Sequence, residues 1–447
     1  AEVIQTHKKL KIKEARSQVL ELFQKVKLPN PERIYKAYPH ELSGGQKQRV
    51  VIAMAIACNP KILIADEPTT ALDVTVQKEI IELLTEIQSN SGMSVVFISH
   101  DLSLVASIAS RVAVMYHGEI VEIGNAETIF KTPEHLYTKA LIASKADLNK
   151  RLKKLPTVED VLSNNIEKNV ISKEERDAAQ QEIYNQKPLL EVNSLSKHYN
   201  IQKGVFSSGE FFTAVNQVSF KLYPGETLGL VGESGCGKST LSNAILMLDP
   251  PSKGEILFEQ KCITSFDKKA LKKLRKDIQI IFQDPFASLN PRISVGKAIL
   301  EPMTVHGIGN NNKDRIAKVK TLLLQVGLKH EDFFKYPHEF SGGQRQRIGI
   351  ARAIAVHPKL IICDESVSAL DISVQAQVLN LLNNLKASYN FSYIFISHDL
   401  TVVKYMSDQL MVMEKGEIVE KGDADQIYNS PKNSYTKTLI EAVPKHL

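Results

Sequence analysis

Two stretches of this 447-residue sequence repeat each other at a constant offset. YPHELSGGQKQR at 38–49 returns as YPHEFSGGQRQR at 336–347, and ADEPTTALDVTVQ at 65–77 returns as CDESVSALDISVQ at 363–375. FISHDL stands at 97–102 and 395–400, GEIVE at 118–122 and 416–420, and Tyr137-Thr138-Lys139 matches Tyr435-Thr436-Lys437. Every pair is 298 residues apart. A gapless register of this length means two copies of one domain, with one fold between them.

The copies are not equally complete. The second has a long upstream part, 188–335, which contains GESGCGKST at 232–240. The register puts the matching loop of the first copy ahead of Ala1, so the first copy is expected to be N-terminally truncated here, inside a longer gene product. The expected organisation is a partial domain over 1–145, a charged linker over 146–187 and a complete domain over 188–447. The linker is rich in Asn, Gln and charge and poor in apolar periodicity, with a short helix expected near 173–184.

Short apolar runs rich in β-branched residues, KILIAD (61–66), SVVFIS (94–99), ETLGLVG (226–232), KLIICD (359–364) and SYIFIS (392–397), alternate with helical stretches such as 10–26. This pattern predicts an α/β fold built on buried, mostly parallel strands. No run of 18 apolar residues is present, so no membrane-spanning helix is expected. A net charge of +6 is small for this length and does not call for nucleic acid. Cys58, Cys236, Cys262 and Cys363 lie far apart without a CxxC pair, which argues against a zinc site or a disulfide framework.

GESGCGKST (Gly232, Glu233, Ser234, Gly235, Cys236, Gly237, Lys238, Ser239, Thr240) fits G-x-x-x-x-G-K-[ST] between a strand and a helix. Its glycines let backbone N–H groups curl around phosphate, and the helix N-terminus favours the negative charge. Lys238 is expected to reach the β- and γ-phosphates and Ser239 to bind Mg²⁺. The strand KLIICD ends in Asp364, a candidate for holding Mg²⁺, and Glu365, a candidate for polarising the attacking water. His40 and His338, just before the repeated glycines, read as structural, and KKALKKLRK at 268–276 reads as a solvated helix face.

LSGGQ before a strand ending in Asp-Glu, with a His after the next strand, resembles the nucleotide-binding domain of ABC ATPases. The resemblance implies two P-loop NTPase domains with helical subdomains, the first incomplete, and ATP with Mg²⁺ as cofactors. By matching motif it assigns Gln283 to the glutamine lid and to the cation with Ser239 and Asp364, Asp371 to the loop after the acidic motif, and His398 to the switch histidine. Tyr199, in LSKHYN, matches the residue that stacks on adenine. The signature motifs are Leu42, Ser43, Gly44, Gly45 and Gln46 in the first copy and Phe340, Ser341, Gly342, Gly343 and Gln344 in the second. Asp66, Glu67, Asp73 and His100 are the first-copy counterparts. In the family two such domains face head to tail, each ATP lying between one phosphate loop and the other domain's signature. The parts for one composite site are thus present: the loop at 232–240, Gln283, Glu365 and His398 with Ser43 to Gln46. The opposite site needs a loop supplied upstream or by another chain.

FQDPFASLNPR at 282–292 and the tails TPEHLYTKALIAS (132–144) and SPKNSYTKTLIEA (430–442) resemble the ATPases of dipeptide and oligopeptide importers. Fusion of two domains looks most like the glutathione and microcin C type. That resemblance implies two permease subunits, an extracytoplasmic binding protein, no nucleic acid, and a peripheral place on the cytoplasmic face of the inner membrane. Pro285 to Pro291 would meet the permease. The alternative is an ABC-class translation factor acting on ribosomes, but the linker is short, mildly basic and broken by Pro156. DNA-repair or chromosome-structuring ATPases would need zinc cysteines or long coiled coils, which are lacking.

Overall fold

The computed structural model describes residues 1–69, 72–146, 151–165, 169–201, 210–368 and 370–443. The chain divides into two compact units, the first Ala1–Thr138 together with the C-terminal residues from Ala442, the second Lys139–Glu441.

The first unit opens on helices Glu2–Lys8, Ile12–Lys25, Pro31–Lys36 and Gly44–Ile56. Strand β1 (Ile62–Asp66) then pairs in parallel with β2 (Ser94–Ile98), and β3 (Arg111–Tyr116) pairs antiparallel with β4 (Glu119–Asn125). Between β1 and β2 runs helix Val74–Ser91, which buries Ile80, Leu83, Leu84 and Ile87, one helical face at i, i+3, i+4 and i+7. Asp73 caps it by accepting from the Val76 N–H, and Gly92 ends it in the left-handed region at φ 64°.

The second unit repeats this plan and extends it. β5 (Leu190–Ile201), β6 (Glu210–Leu222), β8 (Lys253–Phe258) and β9 (Lys261–Cys262) form an antiparallel sheet in the order β6-β5-β8-β9. β7 (Thr227–Val231), β10 (Ile278–Ile281), β11 (Leu360–Asp364), β12 (Ser392–Ile396), β13 (Gln409–Glu414) and β14 (Glu417–Asp423) form the main sheet, ordered β10-β11-β12-β7-β13-β14. Only the β13–β14 pair is antiparallel, as the buried apolar runs lead one to expect of a sheet covered on both faces. Helices Val295–Val305, Asn312–Gln325 and Gly342–Ile354 make the helical part of the second unit.

The repeat extends to register. Ile62 pairs Ser94 and Asp66 pairs Ile98, as Leu360 pairs Ser392 and Asp364 pairs Ile396. The ladder shift at Val114/Met115 recurs at Val412/Met413. The difference is β7, which lies between β12 and β13 and packs with helix Lys238–Ile245 in one apolar cluster. Ile362 in that cluster is fully buried, whereas its counterpart Ile64 is 68% exposed.

Residues between the repeats are built against the second unit. Leu155 is 1% exposed, its N–H donating to Asn380 Oδ1 at 2.9 Å and its carbonyl accepting from Asn380 Nδ2 at 2.8 Å. Helix Lys173–Tyr184, where a short helix was expected, begins on the Ser172/Glu175 capping box and sets Arg176 on Asp423 at 2.6 Å and Asp425 at 2.5 Å. Arg151 donates to the carbonyls of Lys404 and Ser407.

Candidate functional site

The second unit gathers its glycine loop and several titratable side chains at the C-terminal ends of β7, β11 and β12, where open parallel sheets place their ligand crevices. β7 leads into the glycine loop. Gly232 (φ 153°) and Gly237 (φ 112°) have no room for a side chain: a Cβ would stand 2.2 Å from the Met413 carbonyl oxygen and 2.4 Å from that of Ala214. Lys238, 6% exposed, folds its ammonium back over the loop, donating to the carbonyls of Gly232 at 2.7 Å and Glu233 at 2.9 Å. Cys236 is buried, and burial keeps its thiol above the usual range against the pull of Lys238, so the cysteine fills space rather than reacts.

Tyr199 is brought to the far end of the loop. Its hydroxyl donates to Asp249 at 2.6 Å, while the residue stays 40% exposed. Lys197 holds the same Asp249 and lies 5.3 Å from the ring centroid.

Asp364 and Glu365 follow β11 in different environments. Burial and the charge of Glu365 raise the Asp364 carboxyl above its usual value, although the Ser239 hydroxyl and Lys238 pull the other way. A half-buried carboxylate next to a hydroxyl is an all-oxygen donor pair, which suits a hard divalent cation with phosphate and water completing the shell. Among the described residues no cluster of three or more His, Cys, Asp or Glu side chains offers a cage of its own.

Glu365 sits in the left-handed region at φ 48°, a conformation that costs a non-glycine residue about 1–2 kcal/mol. Its N–H is held by the Ile396 carbonyl at 2.9 Å. Its carboxylate accepts from Gln283 Nε2 at 2.8 Å and meets His398 Nδ1 at 3.3 Å. Burial raises this carboxyl, but the His398 bond and the His398 and Lys238 charges prevail and leave it below the usual range. Burial opposes the charge on His398, and the Glu365 bond, with Glu365 and Asp399, outweighs it and raises that imidazole. Gln283 therefore reaches Glu365, and among the described hydrogen bonds none joins it to Ser239 or Asp364.

In the first unit Glu67, also at φ 48°, meets His100 Nδ1 at 2.8 Å and accepts from the His100 N–H at 3.0 Å. Asp66 ends β1 as Asp364 ends β11. Asp371 repeats the cap of Asp73, accepting from Val374 N–H at 3.0 Å.

The signatures start helices Gly44–Ile56 and Gly342–Ile354. Ser43 and Gln46 close a reciprocal cap, with 3.3 Å from the Gln46 N–H to Ser43 Oγ and 3.1 Å from the Ser43 N–H to Gln46 Oε1. Ser341 and Gln344 do the same at 3.4 and 3.0 Å. A Cβ on Gly45 would stand 2.7 Å from Val76, and one on Gly343 would stand 2.3 Å from Val374. Leu42 packs beside the first unit's core and Phe340 is buried in the second. Gly44 and Gly342 are the first residues of their helices. His40 and His338 stack on Tyr38 and Tyr336 in short 3₁₀ turns, consistent with a structural role.

Sequence reasoning overlooked several groups. Asp101 and Asp399, next to the histidines, cap the following helices, a role the S-H-D-L order could have disclosed. Arg345 lies 4.1 Å from the Phe286 ring and Arg352 donates to the Ser288 carbonyl, so two arginines of the signature helix hold the segment after Gln283. Arg352 corresponds to Met54 in the first copy, which cannot make that bond. Tyr435 Oη accepts from the Glu233 N–H at 3.0 Å, a contact no local pattern reveals.

A model of the ABC transporter family matches residues 2–70 and 215–368. A model of the oligopeptide/dipeptide transporter C-terminal region matches 121–170 and again 419–446. The glutathione import ATP-binding protein GsiA of Shigella dysenteriae serotype 1 is 46% identical over 445 residues, 99% of this chain and 71% of the relative. Its namesake in Escherichia coli K12 is likewise 46% identical over 445 residues, with the same 99% and 71% coverage. Among solved structures, cbiO1 from Clostridium perfringens, part of the ABC transporter complex cbiONQ, overlaps 55% of this chain and 92% of its own at 27% identity and a TM-score of 0.48.

Proposed function

The chain belongs to the ABC transporter family of ATP-hydrolysing proteins, and from that premise we propose that it powers a membrane importer of peptides or related small solutes, glutathione among the candidates. The observation that carries the reading is the paired C-terminal match: each copy of the ATPase is followed by the oligopeptide/dipeptide transporter region, which a ribosomal factor has no use for.

In the proposed reaction ATP stacks its base on Tyr199 and lays its phosphates in the N–H groups of 232–240. Lys238 exchanges the two loop carbonyls for phosphate oxygens. Ser239 and Asp364, with Gln283, would hold Mg²⁺, which supplies charge neutralisation at the phosphates. Glu365 accepts a proton from the attacking water, oriented by the Gln283 amide and His398. The N-terminus of helix Gly44–Ile56, with Ser43 to Gln46, presents N–H donors to the γ-phosphate from the opposite side. The Ser341–Gln344 signature serves a second ATP, whose phosphate loop comes from residues upstream of this chain or from another chain.

No helix among the described residues is long and apolar enough to cross a membrane. The proposed importer includes two permease subunits, as the family match suggests, and the exposed Phe286, within Pro285–Pro291 after Gln283, is the proposed point of contact. An extracytoplasmic binding protein delivers the solute, and the ATPase works at the cytoplasmic face of the inner membrane. Affinity purification in mild detergent followed by mass spectrometry tests this. Two co-purifying permease-like membrane proteins are the expected result, and ribosomal proteins without permeases would overturn it.

A further inference from the structure

The phosphate loop is touched by a part of the chain outside the ATPase motifs. Helix Ser434–Ala442 belongs to the C-terminal region that follows β14. Its start is fixed by Glu420 on β14, whose carboxylate accepts from the N–H groups of Lys432 at 2.8 Å and Asn433 at 3.1 Å. Asn433 Oδ1 then accepts from the Tyr435 N–H at 2.8 Å. This relay sets the Tyr435 hydroxyl against the loop, where it accepts from the Glu233 N–H at 3.0 Å. Burial, with Glu233, Cys236 and Glu414 nearby, raises the phenol above its usual pKa and keeps it neutral.

The first copy builds the same relay but ends it differently. Glu122 accepts from the N–H groups of Glu134 and His135, and His135 Nδ1 accepts from the Tyr137 N–H. The Tyr137 ring then stacks on Tyr116 at 4.1 Å between centroids. In the second copy the position of Tyr116 is Glu414, so no ring is offered there and the hydroxyl contact to the loop distinguishes the copy that carries GESGCGKST.

We propose that Tyr435 is a positioning residue for nucleotide binding, its hydroxyl pinning the stem of the phosphate loop and tying the C-terminal helix to the state of that loop. The inference rests on the nucleotide reading of 232–240. Glu233 supplies the second residue of the loop, so anchoring its N–H narrows the loop's conformations before phosphate arrives. Less ordering is then left for ATP to impose. The helix in turn senses whether the loop is occupied.

Tyr435→Phe removes one oxygen and leaves the ring in place. In the full chain it is expected to raise the ATP dissociation constant about five-fold, the effect of one lost neutral hydrogen bond. The melting midpoint without nucleotide falls by no more than about 2–4 °C, the shift that one lost hydrogen bond gives, since no packing is lost. ATP slows amide exchange over 433–440 in the parent and loses that effect in the variant. Glu420→Gln, which loosens the relay with the tyrosine intact, raises the constant less, and the double variant is less than additive. Lys238→Ala is the control for the nucleotide reading. A parent chain that binds no ATP, or binds it as Lys238→Ala does, overturns both readings. A Tyr435→Phe chain with parental affinity and parental protection overturns this inference alone. Affinity lost together with a fall in melting midpoint well beyond about 4 °C places Tyr435 in the fold and also overturns it.

Discussion

Glu226 is the residue whose surroundings most conflict with its chemistry. It is 1% exposed at the foot of β7, where its carboxylate accepts from the Tyr223 N–H at 2.8 Å and the Tyr184 hydroxyl at 3.3 Å. Burial, with Asp408 close by, raises its pKa to about 7 against the opposing influence of the Tyr223 N–H, Tyr184 and Lys421. Asp408 is itself paired with Lys386 at 3.4 Å. The folded chain therefore holds a proton that the unfolded chain releases near pH 4.5. Below that pH both states are protonated and nothing is lost; as pH climbs toward 7 the unfolded state gains an advantage, of order 3 kcal/mol once pH exceeds 7. Glu226→Gln keeps the shape without the ionisation. Its stability relative to the parent is expected to improve from pH 5 to about pH 7 and to level off above it in urea titrations, and a difference independent of pH would refute the assignment.

At the scale of elements, the strands were legible because a buried parallel strand writes itself locally, as a short β-branched run such as KLIICD ending in the Asp-Glu pair. The glycine loop between β7 and helix Lys238–Ile245 was legible for the same reason, since its glycines, Lys238 and Ser239 lie within nine residues of sequence. The segment between the repeats was not. Its charge and its lack of apolar periodicity describe a solvated tether, and what fixes it is distant: Asn380 reads the backbone of Leu155 across 225 residues of chain. Arg176 finds Asp423, the last residue of β14, and Asp425, in the first turn of helix Ala424–Asn429, and nothing in their local sequence points to so distant a partner. Tyr435 was missed likewise, because its partner Glu233 is 202 residues away. Asn380→Leu tests the weight of the docking. It strands a buried N–H and a buried carbonyl together, a loss of about 2–4 kcal/mol for the segment. Limited proteolysis is expected to cut within 151–172 well before the main sheet opens, and unchanged resistance there would show that the arginine contacts alone suffice.

Across the whole molecule, Ser43 and Lys238, 195 positions apart, serve one ATP in the proposed head-to-tail arrangement. Ser43 closes the cap of a 13-residue helix whose N–H groups are the proposed donors to the γ-phosphate. Ser43→Arg removes the cap and places a long cation where the nucleotide must close, so turnover at the Lys238 site is expected to fall about 100-fold. ATP binding to the open loop stays within about three-fold, since that loop carries its own contacts. Ser43→Ala separates the two effects. It loses the cap, a matter of about 1 kcal/mol, without filling the space, and should cost turnover less than ten-fold. Ser341→Arg, on the signature assigned to the other ATP, is expected to leave the Lys238 site the more active of the two arginine variants. Mixing decides whether the partners share a chain. If Ser43 and Lys238 meet within one polypeptide, Ser43→Arg and Lys238→Ala chains remain inactive together. If they meet between two copies, the mixture regains about a quarter of parental turnover, because random pairing leaves half the dimers with one intact site of two. Recovery would move the proposed site from within the chain to between chains, and equal damage from Ser43→Arg and Ser341→Arg would dismiss the head-to-tail arrangement itself.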